Sequence, residues 1–138
     1  MPLFIYNRTK LTQLGDMAKI LIAEDDESML NFLTLALKRA GHEVCAEKNG
    51  NKALSAFDED NGYDLLLTDI VMPGIDGIEL AKKVTQKSPK TKVMFITGFA
   101  GMALESPDSL EAQKTATMSK PFHLNDLVEH VEDLLKAE

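Results

Sequence analysis

The chain has 138 residues, 44% of them hydrophobic and 27% charged, which is long enough and apolar enough for one globular domain with a full core. Its formal net charge is −7 at pH 7, and this acidic balance argues against direct binding to nucleic acid, because phosphate binding needs a basic surface. The single cysteine cannot form an internal disulfide, and three scattered histidines give no Cys/His zinc spacing.

Residues 1–16 fit poorly with the rest of the chain. Residues 3–6 (LFIY) are apolar but too few for the hydrophobic region of a signal peptide, and no apolar run in the chain approaches the ~18 residues of a transmembrane helix. We therefore expect a cytoplasmic protein without membrane contact. The domain is predicted to span residues 17–138, after an extension that is flexible, left over from cloning or translated from a mis-chosen start codon. The alternative is a helix or edge strand that contacts a partner.

The first predicted strand, residues 20–23 (ILIA), runs directly into four acids, EDDE at 24–27. Helical spacing of apolar residues follows, and Gly41 is expected to close that helix. Carboxylates at a helix N-terminus stabilise it by ~0.3–1 kcal/mol each, which accounts for Asp26 and Glu27. Glu24 and Asp25 come off the buried strand instead, where like charges are unfavourable unless a cation neutralises them.

A second short strand is predicted over residues 42–47 and a short helix over residues 49–57. The next apolar run, residues 65–67 (LLL), has the character of a central strand buried on both faces, and it leads into Asp69. A Met-Pro-Gly turn then forces the chain away, so Asp69 is expected at the mouth of a sheet, where open α/β sheets bind ligands. The alternative is an aspartate that only initiates this turn.

A third helix is predicted before Ser88, and a strand over residues 93–96 ends in Thr97. Residues 99–114 are only weakly helical and contain Pro107, so we expect a fourth helix that is short, shifted or mobile. A fifth strand over residues 115–119 precedes Lys120, and Asn125 is the predicted N-cap of the last helix.

This alternation is an α/β, (βα)5 pattern, which predicts a parallel sheet with helices on both faces. All strand C-termini then point to one edge, where five polar groups converge: Glu24, Asp25, Asp69, Thr97 and Lys120.

Three carboxylates with oxygen donors only suit Mg²⁺ or Mn²⁺, which also bind phosphate oxygens. Lys120 can pair with Asp69 or with an added phosphoryl group, and Thr97 supplies a hydroxyl. A carboxylate can itself attack phosphorus and form an aspartyl phosphate. These residues together therefore indicate phosphoryl transfer to the protein.

Four motifs resemble the receiver domain of bacterial response regulators over residues 17–138: EDD after the first strand, TDIVMPGIDG around Asp69, FITG and SKPF. The resemblance implies a flavodoxin-like, CheY-like doubly wound sheet of five parallel strands in the order 2-1-3-4-5. It also implies that Asp69 is the phospho-acceptor, that Thr97 is the switch hydroxyl and that Lys120 binds the phosphoryl group.

By the same resemblance, Mg²⁺ or Mn²⁺ is held by Asp69, by Asp25 directly, by Glu24 as an outer acid and by the backbone carbonyl of Val71. The implied phosphodonor is a histidine kinase or a histidine phosphotransfer protein. Receivers of this type are not enzymes beyond their own phosphorylation and dephosphorylation.

Two departures from the family pattern stand out. Receivers usually carry Tyr or Phe three residues before the lysine, and that position is Thr117 here, so the usual aromatic rotation behind Thr97 is unavailable. The fourth helix also lacks the Gly-Ala turn that usually leads into the fifth strand.

We expect no output module beyond Glu138 and therefore expect output through protein contact. The runs MAKILIAEDDESML, DIVMPGIDGIELAKK, VMFITGFAGMAL and SKPFHL are similar to stand-alone receivers of alphaproteobacterial cell-cycle control. That resemblance implies control of the ClpXP protease, with the unphosphorylated form promoting degradation. The alternative is a phosphate sink or shuttle without its own output. An aspartyl phosphohydrolase is disfavoured, because Val71 occupies the position of its second aspartate.

Overall fold

The computed structural model describes residues 17–98 and 115–137. These ranges contain five strands and four helices. The strands are β1 (Lys19–Ala23), β2 (Glu43–Glu47), β3 (Leu65–Asp69), β4 (Lys92–Thr97) and β5 (Thr115–Ser119). The helices are α1 (Glu27–Arg39), α2 (Gly50–Glu59), α3 (Gly77–Lys87) and α4 (Leu124–Lys136). The predicted extension at 1–16 and the predicted irregular helix at 99–114 lie outside the described residues.

The five strands form one parallel sheet in the order β2-β1-β3-β4-β5, which confirms the doubly wound topology. Strand β3 lies at the centre, and all five of its residues are buried. Its C-terminal residue, Asp69, therefore lies at the middle of the sheet's C-terminal edge, with β1 on one side and β4 on the other.

The core has two halves because the sheet is covered on both faces. Ile20 and Ile22 of β1 pack in the half beneath α1 and α4, whereas Leu21 and Ala23 pack in the half beneath α2 and α3. Alternate strand residues point to opposite faces, so a strand covered on both sides must be apolar at every position. This explains the continuous apolar runs that the sequence showed in β1 and β3.

Side-chain caps fix the starts of three helices close to the site edge. Asp26 accepts a hydrogen bond from Met29 N (3.2 Å) at α1, and Asp76 accepts one from Glu79 N (2.8 Å) at α3. Asn49 caps α2 in the same way, through Lys52 N (2.8 Å). Each cap satisfies a backbone donor that the helix leaves free. Asp26 therefore acts as a helix-start residue, as its position in the sequence predicted.

The predicted N-cap at Asn125 is wrong. Helix α4 begins at Leu124, with His123 at the cap position and no side-chain cap hydrogen bond. Leu124 packs against the core half beneath α1 and α4, and this burial extends the helix upstream of the better capping residue.

None of the helices within the described ranges combines the length and apolar character that a membrane span requires.

A buried histidine joins three elements at the opposite end of the sheet from Asp69. The Nδ1 atom of His42 accepts a hydrogen bond from Ala18 N (3.1 Å), so the ring proton sits on Nε2, which lies 2.7 Å from Glu132 Oε2. The His42 side chain is 1% exposed. This bridge ties the start of β1 and the end of α1 to α4.

We expect His42→Ala to lower the free energy of unfolding by about 1–3 kcal/mol, since it leaves the Ala18 N–H and the Glu132 carboxylate without their partner. Urea denaturation at pH 7.5 measures the change. The matched control is His130→Ala on the exposed side of α4, which should change stability by less than about 0.5 kcal/mol. Equal denaturation midpoints for the two variants would show that the bridge contributes nothing.

Candidate functional site

The sheet register brings the predicted site residues to one edge. Ala23 of β1 pairs with Thr68 of β3, so Glu24, directly after β1, lies beside Asp69, the last residue of β3. Thr97 of β4 pairs with Ser119 of β5, and Lys120 N donates a hydrogen bond to Thr97 O (2.8 Å). The strand order thus gathers residues that are up to 96 positions apart in the chain.

Three carboxylates form a compact cluster at this edge. One ligand atom from each of Glu24, Asp25 and Asp69 lies within 4.8 Å of the other two. Glu24 is fully buried, Asp69 is 7% exposed, and Asp25 is exposed, so the cluster opens to solvent on the Asp25 side. Val71 lies in the turn after β3 and is 50% exposed. An oxygen-only donor set with one open side fits a hard divalent cation such as Mg²⁺, which keeps part of its water shell.

Lys120 supplies the positive charge of the cluster. Its Nζ atom lies 3.1 Å from Asp69 Oδ2 and 3.3 Å from Glu24 Oε1, so one ammonium group serves two carboxylates. Burial alone would lower the pKa of Lys120. The hydrogen bond to Asp69 and the negative charges of Glu24 and Asp69 outweigh burial, and the pKa of Lys120 is raised. Lys120 is therefore a cation at every physiological pH.

Glu24 is the carboxyl group of the cluster whose ionised form is disfavoured by its surroundings. Burial is the main reason that the pKa of Glu24 is raised to about 7. The hydrogen bond from Asp26 N (2.9 Å) lowers this pKa, the negative charge of Asp69 raises it, and the Lys120 ammonium lowers it. A single ammonium therefore does not fully balance the buried acids, and near pH 7 Glu24 holds a proton part of the time. A second cation at the cluster would favour its ionised form.

The backbone of Asp69 is held by residues for which the sequence suggested no role. The Thr68 hydroxyl donates to Asp69 O (2.8 Å), and Gly77 N donates to Ile70 O (2.8 Å) at the start of α3. A Cβ atom at Gly77 would lie 2.0 Å from Asp69 O, so only glycine fits. In the sequence, the only sign of this role was a glycine directly after Asp76, and a glycine next to a turn can have many explanations. Gly77 positions α3 against the strand that presents Asp69.

The two threonines near Lys120 differ in environment. Thr97 is 2% exposed at the end of β4, at the same edge as the acids. Thr117 is exposed in β5, where it pairs in register with the buried Phe95. The position at which the family pattern expects an aromatic ring therefore presents a small polar side chain to solvent.

Comparisons with known proteins agree on one family. The protein-family model described as the response regulator receiver domain matches residues 20–132. The chain is 50% identical over 121 residues to the response regulator receiver protein CpdR of Brucella abortus, covering 88% of this chain and 99% of that one. It spans about half the length of several transcriptional regulatory proteins that it also matches.

Solved structures give the same fold. The receiver domain of the hybrid histidine kinase CckA superposes with a TM-score of 0.72 at 30% identity, over 86% of this chain and 99% of that one. The response regulator TrrA of Thermotoga maritima, in a complex with Mg²⁺ and BeF, gives a TM-score of 0.74 at 29% identity, over 86% and 99% of the two chains.

The pKa of Glu24 predicts a pH dependence of stability. Between the ordinary value of 4.5 and about 7, the folded chain keeps a proton on Glu24 that the unfolded chain releases. This contribution to stability is therefore complete below pH 4.5 and is lost as the pH rises towards 7, by up to ~1.4 kcal/mol per pH unit.

The measurement is urea denaturation from pH 4.5 to 8 in EDTA, for the wild type, Glu24→Gln and the exposed control Glu129→Gln. The free energy of unfolding of the wild type, minus that of Glu24→Gln, should fall as the pH rises, and the difference from Glu129→Gln should not. Parallel curves for the wild type and Glu24→Gln would refute the electrostatic picture of the cluster.

Proposed function

The chain belongs to the response regulator receiver domain family, and from this premise we propose that it accepts a phosphoryl group on Asp69. The observation that carries the proposal is the position of Asp69, which lies at the end of the central strand, beside two further carboxylates and 3.1 Å from the Lys120 ammonium. A nucleophile, acids for a metal and a fixed cation thus meet at one edge. Phosphoryl transfer depends mainly on such positioning and charge neutralisation.

The proposed donor is a histidine kinase or a histidine phosphotransfer protein. A carboxylate oxygen of Asp69 attacks the phosphorus of phosphohistidine, the new O–P bond forms as the P–N bond breaks, and the imidazole leaves and takes a proton from solvent. Similarity to the CckA receiver, a domain of a hybrid histidine kinase, supports this class of donor. The chain acts on its own phosphoryl group and on no separate substrate.

In this proposal Asp25, Asp69 and the backbone carbonyl of Val71 hold Mg²⁺ or Mn²⁺, with Glu24 as an outer acid. The bound metal would neutralise charge on the transferring phosphoryl oxygens. Lys120 already lies against Asp69 and can move its hydrogen bond to a phosphoryl oxygen without leaving the edge. The Thr97 hydroxyl at the end of β4 is the proposed partner of another phosphoryl oxygen. The complex of TrrA with Mg²⁺ and BeF supports the proposal that a receiver domain of this fold takes a metal ion and a phosphoryl-like group.

The proposed output is a phosphorylation-dependent protein contact that controls ClpXP proteolysis in the cytoplasm during the cell cycle. Its support is the 50% identity to Brucella CpdR over 99% of that protein. In this proposal the unphosphorylated form promotes degradation. The exposed Thr117 removes the usual aromatic rotation from the switch, so the change of state reaches the partner by another route. The second candidate is a phosphate sink or shuttle without its own output, and Thr117 does not separate it from the first, because a switch could also reach its partner by another route.

We expect Asp69→Ala to abolish phosphorylation and to leave the fold intact, because the substitution removes one of several crowded like charges. The protein is incubated with acetyl phosphate and Mg²⁺, and the phosphoryl mass increment is measured on the intact chain. The control Asp133→Ala, on the exposed side of α4, should be phosphorylated like the wild type, and EDTA should suppress labelling of both. Undiminished labelling of Asp69→Ala would refute the assignment.

A pull-down separates the two candidate functions. Wild-type and Asp69→Ala proteins serve as baits, each with and without beryllofluoride and Mg²⁺, where beryllofluoride stands for the phosphoryl group on Asp69. We expect the ClpX unfoldase to be retained by the unmodified wild type and by Asp69→Ala, and to be lost when beryllofluoride occupies the wild-type site. Retention of only a kinase or phosphotransfer protein, in every state, would instead support the sink.

A further inference from the structure

An apolar groove lies between α1 and α4, on the face of the sheet away from α2 and α3. Its volume is about 290 Å³, and its walls include Phe32, Leu35 and Arg39 of α1 and Leu124, Asn125 and Val128 of α4. Phe32 is 57% exposed and Leu35 is 50% exposed. This size is at the lower limit of ligand pockets, ~300 Å³, and suits a few apolar side chains of a peptide.

The chain that precedes β1 emerges at the foot of this groove. Ala18 N donates a hydrogen bond to His42, directly after α1, and His42 contacts Glu132 in the second half of α4, so Met17 lies close to the end of α1 and to that part of α4. Met17 is 64% exposed. Of the four large apolar residues that are exposed within the described ranges, Phe32 and Leu35 line the groove, and Met17 lies just before the strand whose start is held by His42.

Residues 1–16 have the composition and the length to occupy the groove. Their apolar run is LFIY at residues 3–6, and Arg8 and Lys10 follow it. The ten residue steps from Asn7 to Met17 span ~33 Å when extended and ~15 Å as a helix. The groove residue Asn125 lies only seven helical residues, or ~10 Å, above Glu132. Either conformation is therefore long enough to bring residues 3–6 to the groove.

Charge complements this fit. The exposed side of α4 carries a row of acids, Asp126, Glu129 and Asp133. Arg8 and Lys10 outnumber the one acid of the segment, Asp16. A segment that is tethered beside its site also binds at an effective concentration in the mM range, so weak apolar and ionic contacts are enough to keep it bound.

We propose that residues 3–6 of the same chain dock into the groove between α1 and α4. The segment covers Phe32 and Leu35, while Arg8 and Lys10 face the acids of α4. In this proposal residues 1–16 are neither a loose extension nor a helix or edge strand that contacts a separate partner, because they pack on their own domain. Any partner that uses this groove must first displace the segment, which lowers the apparent affinity of that partner.

Disulfide trapping in the full chain tests the proposal. Cys45, the one native thiol, is replaced by Ala, and Asn7→Cys is combined with Asn125→Cys in the groove wall. Both positions are polar, so the apolar run and the apolar walls stay intact. The control combines Asn7→Cys with His130→Cys, an exposed α4 position that lies outside both the groove walls and the row of acids and is nearer than Asn125 to Glu132 along the helix.

We expect the groove pair to form an intramolecular disulfide at least about tenfold faster than the control pair, because docking raises the local concentration of its two thiols. Adding Leu3→Ser, Phe4→Ser and Ile5→Ser to the groove pair should reduce its rate to that of the control. Equal rates for both pairs, or no effect of the serine substitutions, would overturn the proposal. Disulfide-linked dimers from the groove pair would also overturn it, since a second copy would then be the occupant.

Discussion

The structure depends on the crowding of carboxylates at the C-terminal edge of its sheet. Glu24 is fully buried beside Asp69, and Lys120 is the one cation within hydrogen-bond distance of both in the described part of the chain. Burial and like charge disfavour the ionised form of Glu24, whose pKa rises to about 7. Such a cluster lowers stability unless a further cation neutralises it. The cluster is therefore destabilising as a purely structural feature, but it is well suited to a metal-dependent reaction.

The rest of the fold holds this edge rigid. Strand β3 is buried on both faces between two core halves, so Asp69 cannot move without disturbing the centre of the sheet. The close approach of Gly77 to Asp69 O fixes the start of α3 against the same strand. A site built on such elements keeps its geometry between reaction cycles, which is what catalysis by positioning requires.

The order and type of the described elements, and all the acids of the cluster, could be predicted from the sequence, because a buried parallel strand shows as an apolar run and its polar end residue stands out against it. The strand order 2-1-3-4-5 followed from the family resemblance, since apolar runs do not say which strands are neighbours. The start of α4, the packing of Gly77 and the His42 bridge could not be predicted. Each depends on contacts between residues far apart in the chain, such as His42 and Glu132, which lie 90 positions apart.

The dependence of stability on Mg²⁺ tests the central claim, that Glu24, Asp25 and Asp69 form one cation site. A ligand that binds only the folded state raises the free energy of unfolding by RT ln(1 + [L]/Kd). Urea denaturation midpoints should therefore rise with Mg²⁺ for the wild type and for the exposed control Glu129→Gln, with the rise beginning at ~mM Mg²⁺, and should hardly change for Asp25→Ala. An Mg²⁺ response of Asp25→Ala as large as that of the wild type would contradict the account.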